Sequence, residues 1–186
     1  MSKLKQLLYS DLARQYQLEG RPETLPTTLR LLCRLLHPRF LPIVLCRGSR
    51  WAFLHNIPVV PRILTYFNIV IFGLEVSPRS HIGPGIFFPH TSGTVIGAKC
   101  IGRSVTVFQG VTLGAKSLDM QFNPELRPEI GDNVTLGSGC KVLGGIKVGD
   151  NVIVGANSVV VESIEPNITV VGIPARSVVP KMTGAS

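Results

Sequence analysis

The chain has 186 residues, with 19 Lys and Arg against 11 Asp and Glu, a net charge of +8. Hydrophobic residues make up 45% and charged residues only 16%, which excludes a disordered chain. The 19 glycines follow no three-residue period, which excludes collagen, and the length fits one domain with a small helical addition.

The charge divides near residue 75. Residues 1–74 hold ten basic and three acidic side chains, while residues 75–186 hold nine and eight. No acid falls between Glu23 and Glu75, yet Arg30, Arg34, Arg39, Arg47, Arg50 and Arg62 all do. Charge runs are usually solvated helix faces. The sharper reading is a basic surface that meets an anionic membrane or a polyanionic glycan. Nucleic acid is not expected, because aromatics do not interleave with the basic residues.

In chain order, Leu4, Leu7, Leu8, Leu12 and Tyr16 form one apolar stripe and predict a first helix, ended by Gly20-Arg21-Pro22. Leu29, Leu32, Leu35 and Leu36 predict a second, closed by His37-Pro38. Further apolar helices are expected over 41–55 and 61–73. The N-terminus is patterned as a helix rather than a secretory signal. Cys33, Cys46, Cys100 and Cys140 show no metal spacing. A cytoplasmic protein with reduced thiols is therefore expected, peripheral to the inner membrane face if the basic surface is used.

From residue 76 the pattern changes to a period of six. Val76, Ile82 and Phe88 form one run, and Val95, Ile101, Val107 and Leu113 the next. Ile130, Leu136, Val142, Val148, Val154 and Val160 form a third. One extra residue separates Phe88 from Val95. Glycine follows many of these markers, which suggests tight corners with unusual backbone angles. A six-residue period fits neither a helix nor a free strand. It fits a chain that makes a short strand, turns and repeats, so that three faces close a stacked prism. The fold class is thus mainly β, a parallel β-helix preceded by a small α-helical region. The expected division is a helical region 1–74, a β-helix 75–180 and a tail 181–186. The period breaks once, at the polar segment 115–129, an excursion of a length that is often functional.

The run EVSPRSHIGPGIFFPHTSGTVIGAKCIGRSVTVFQGVTLGAK, the run EIGDNVTLGSGCKVLGGIKVGDNVIVGANSVV and the terminal VVGIPARSV resemble the serine O-acetyltransferase branch of the hexapeptide acyltransferases. The resemblance covers about residues 75–179. It implies a left-handed β-helix, a homotrimer with sites between subunits, and acetyl-CoA as co-substrate without a metal. It makes His90 the general base and Glu75 its acidic partner. It places CoA contacts at Ala115, Gly137, Ser138 and Ala156, with Arg176 and Lys181 facing CoA phosphates, and puts Arg127 near the acceptor. Cys100 and Cys140 are read as packing residues. Two departures bear on the acceptor. Pro89 stands where the branch carries an acid, and Leu126-Arg127 stands where it carries Arg-His. A saccharide acceptor of a cell-surface polysaccharide is therefore expected first. Serine is the alternative, and a non-catalytic scaffold the remote one.

Overall fold

The structure is a computed structural model and describes residues 3–35 and 37–178. Four helices open the chain: α1 (Lys3–Leu18), α2 (Thr28–Arg34), α3 (Leu41–Leu54) and α4 (Val60–Phe72). The Thr27 side chain caps α2 by accepting from the Arg30 amide. Prolines occupy the first turns of α3 and α4, where a missing N–H costs nothing. Gly73 ends α4 in the left-handed region, at φ 63°. A Cβ there would lie 3.2 Å from the backbone of Ser92 and Gly93, so both the angle and the close approach favour glycine.

Short strands then wind through three parallel sheets. The first face stacks β1 (Leu74–Val76), β3 (Thr94–Ile96), β6 (Thr112–Gly114), β9 (Lys141–Leu143) and β12 (Val159–Val160). The second stacks β2 (His81–Ile82), β4 (Cys100–Ile101), β7 (Glu129–Ile130) and β10 (Lys147–Val148). The third stacks β5 (Thr106–Val107), β8 (Thr135–Leu136), β11 (Ile153–Val154), β13 (Thr169–Gly172) and the antiparallel β14 (Ala175–Ser177). Val107 stands against Leu136, and Leu136 against Val154. The first step takes 29 residues because it includes the excursion after β6; the second takes 18. The marker side chains point inward, and Val107, Leu113, Leu136, Val142 and Val154 are wholly buried.

Two expectations need correction. The inward residue of β3 is Ile96, not Val95: Val95 faces Thr112, and Ile96 faces Leu113. Thr94 points inward as well. It is tolerated there because its hydroxyl meets the Phe108 carbonyl and accepts from the Gly110 amide. The glycines after the markers serve close stacking rather than unusual angles. A Cβ on Gly102 would sit 2.6 Å from the Gly131 backbone one coil above. The left-handed corners fall to other residues, among them Gly110, Gly139 and the asparagines Asn133, Asn151 and Asn167, whose amides hydrogen-bond from coil to coil.

The helices clasp the prism through a buried ion pair. Asp11 accepts from Arg47 at 2.9 and 3.0 Å and from the amides of Gly85 and Ile86. Arg47 also donates to the carbonyls of Ile82 and Gly83, both at 2.6 Å. Burial pushes the Asp11 carboxyl above its ordinary value, and Arg47 and the two amides pull it back. The expected basic surface is correspondingly smaller. Arg47 is buried, Arg34 pairs with Glu19 at 2.8 Å, and Arg50 donates to two carbonyls of the prism. No helix of the described residues is long and apolar enough to cross a membrane.

Candidate active site

His90 lies at the corner leading into β3. Phe88, just before it, fills the prism interior. The next inward side chain of a full strand is Ile96, eight residues on rather than six. The extra length is expelled as an outward corner that carries His90 to the surface. The corner is anchored: the Thr91 hydroxyl donates to the Phe72 carbonyl at 2.8 Å, at the end of α4. A cavity of about 300 Å³ opens here, lined by Pro38, Arg39, Phe72, Pro89, His90 and Ser92 among others. Arg39 comes from the turn between α2 and α3. Sequence reasoning missed it, having assigned it to the basic face; the only signal was its place in the acid-free run.

The same corner continues upward as a column. The Gly110 amide donates to Ser92, Gly139 to Gln109, and Asn157 to Ser138. Ser138 and Ala156 thus stand above His90 on one edge, and Gly137 packs directly against Ala156. At the usual spacing of stacked strands, Ala156 is about 14 Å above His90. Ser92, Gly110, Ser138, Gly139 and Ala156 give this edge mostly small side chains. Gln109 sits within the column, and its side-chain oxygen is buried without a hydrogen-bond partner. Sequence periodicity did not single it out, because it is a polar residue at a corner.

The other site residues lie apart. Glu75 is the outward, exposed middle residue of β1, paired with Val95. Among the described residues, no hydrogen bond or ion pair joins it to His90. Ala115 follows β6 at a different corner. Arg176, on β14, faces Glu162 at 3.6 Å, and both are exposed. Lys181 lies outside the described residues.

Arg127 is committed to the excursion itself. Its Nε and Nη2 donate to the Asp119 carboxylate at 3.0 and 2.8 Å, and Nη2 donates to the Asp119 carbonyl. Its guanidinium lies 4.5 Å from the centre of the Phe122 ring. These hydrogen bonds hold the Asp119 carboxyl below its ordinary value. Leu126 is exposed on the adjoining 3-10 turn. Burial pushes the Cys140 thiol up to about 12, which fits packing and not nucleophilic attack.

Comparison with known proteins fits this architecture. The family described as bacterial transferase hexapeptide (six repeats) matches residues 127–161. A serine acetyltransferase of Synechococcus elongatus is 39% identical over 147 residues, covering 78% of this chain and 58% of that one. The soybean serine acetyltransferase apoenzyme superposes with a TM-score of 0.78 at 30% identity, over 94% of this chain and 69% of the other. A serine acetyltransferase in complex with CoA gives a TM-score of 0.79 at 28% identity, over 94% and 69%. The chain spans a little over half the length of the curated relatives it matches. The three stacked sheets, the repeat and these relatives agree that the chain belongs to the hexapeptide-repeat transferase superfamily.

Proposed function

We propose that the chain is an acetyl-CoA-dependent O-acetyltransferase whose acceptor is serine. The carrying observation is the His90 corner: an outward imidazole on a cavity of about 300 Å³ whose wall includes Arg39, a cation with no carboxylate partner among the described residues. His90 takes the proton from the acceptor hydroxyl as its oxygen attacks the thioester carbonyl. The carbon–sulfur bond then breaks, and the thiolate of CoA recovers the proton from the imidazolium. The open column above His90 suits a thin pantetheine arm. Gly137, Ser138 and Ala156 line that column.

The expected saccharide acceptor yields to serine for two reasons. The relatives named above are serine acetyltransferases. Arg39, which lines the His90 cavity and which no carboxylate neutralises among the described residues, also offers a cation to the acceptor. A carboxylate on the acceptor is what such a cation recognises. Arg127 in this reading shapes the excursion, and Glu75 assists His90 across the trimer groove. The left-handed sense and the homotrimer rest on the resemblance, and a cytoplasmic location on the cysteines and the N-terminal pattern.

Thiol release from acetyl-CoA tests the reading, with serine, serinamide and a panel of sugars as acceptors. Serine is expected to turn over at ordinary enzymatic efficiency, and His90→Ala to lose at least about 100-fold. Turnover of a sugar without serine would return the acceptor to a saccharide. No turnover with any acceptor, unchanged by His90→Ala, would leave a scaffold.

A further inference from the structure

A second cavity, of about 290 Å³, lies at the seam between α1, the end of α3 and β2. It shares no lining residue with the His90 cavity. Leu4, Leu7, Trp51, Leu54 and Ile82 make its wall apolar. Lys3, Arg50, His55 and His81 stand around that wall, and no acidic side chain lines it.

The cations differ in what neutralises them. Arg47, also at this cavity, is matched by Asp11. Arg34, Arg103 and Arg127 elsewhere each have a carboxylate. Arg50 has none among the described residues. Its Nη1 donates to the Pro78 and Arg79 carbonyls at 3.0 and 3.1 Å, and its Nη2 lies 3.4 Å from His81 Nδ1. It is only part-exposed, so water screens it incompletely. The field here is felt by His81, held below its ordinary value by burial and then by Arg50, Lys3 and Arg47. Arg50 is thus a half-buried cation beside an apolar wall, with the exposed Lys3 near it and no carboxylate to match it among the described residues.

We propose that this seam cavity binds a small amphipathic anion, a carboxylate carried on an apolar chain. Arg50 and Lys3 take the carboxylate, and Trp51, Leu54 and Leu7 cover the chain. The volume sits at the lower end of small-molecule pockets, which suits a medium-chain acid. Bound there, the ligand touches α1, α3 and β2 at once and ties the helices to the prism.

Trp51 is the chain's single tryptophan, so its fluorescence reports on this cavity. Octanoate, titrated into the intact protein, is expected to give a saturable change, with octan-1-ol at least about tenfold weaker. Arg50→Gln is expected to remove most of that difference. Because Arg50 also holds the turn at Pro78–Arg79, Leu54→Glu is the second variant. Leu54 is exposed, so the fold tolerates the change, and the added carboxylate repels the anion but not the alcohol. The proposal is overturned by no saturable response, by equal affinity for octanoate and octanol, or by octanoate binding that survives Leu54→Glu.

Discussion

The helices and the prism solve burial in opposite ways. The prism buries a stack of aliphatic side chains with few polar ones among them, such as Thr94 and Ser158, and carries asparagine amide ladders at one corner. The helices bury Asp11, Gln15, Arg47, Ser49 and Asn68, while the outer face of α4 shows Ile63, Tyr66, Phe67, Val70 and Ile71 to solvent. Between α3 and α4 the contacts are polar: Ser49 meets Thr65, and Asn68 donates to the Pro42 carbonyl. A repeating ladder needs only volume and register. The helical region adds Leu12, Phe40, Ile43 and Ala52 to the buried apolar side chains but depends besides on a few directional contacts. One region is therefore tolerant and periodic, and the other specific and fragile.

Breaking the Asp11–Arg47 clasp tests that contrast most severely. Arg47→Met leaves a buried carboxylate without its cation and is expected to cost about 3–5 kcal/mol. The helical signal should melt early while the β signal persists, giving two calorimetric transitions. A single cooperative transition would merge the regions. Leu136→Ala opens a cavity in the prism and is expected to cost about 2–5 kcal/mol, seen as a lowered β transition. Asn151→Ala, at φ 57°, forces a left-handed corner on a residue without asparagine's hydrogen-bonding side chain and removes two ladder bonds. Its expected cost is about 1–2 kcal/mol in a denaturant titration.

The smallest effect is pH-dependent. The Asp119 carboxyl is held below its ordinary value of 3.8 by hydrogen bonds from Arg127. A carboxyl with a depressed folded value contributes stability that is complete above its unfolded value. That contribution is lost as pH falls through the folded one. Hydrogen-exchange protection in the excursion, taken relative to the intrinsic rate at each pH, should stay high at pH 5 and fall below about 3.8, ahead of any change in the prism. Protection that survives down to the acid unfolding of the prism would show the Asp119–Arg127 contact to be dispensable.

The legibility of the sequence follows the same division. The six-residue period announced the prism and its excursion, and three- and four-residue apolar stripes announced the helices, because volume repeated at a fixed step is visible along a chain. It misplaced Val95 because Thr94 points inward on hydrogen bonds, which a hydrophobic marker cannot register. It misread the glycines because close approach between coils leaves no local trace. Asp11 was invisible as a partner of Arg47: their contact joins two helices 36 residues apart. His90 was found through its resemblance to an acyltransferase motif, whereas Arg39 reaches the same cavity only through the fold.

Acetyl transfer to serine with and without the carboxylate cation tests the central claim most directly. Steady-state thiol release should show serine favoured over serinamide by the intact protein. In Arg39→Ala the Michaelis constant for serine should rise at least tenfold, with that for acetyl-CoA unchanged and the preference over serinamide gone. Serine turnover that discriminates against serinamide equally well without Arg39 would contradict the assignment of that cation. No serine turnover at all would contradict the account of the His90 corner as a serine-acetylating site.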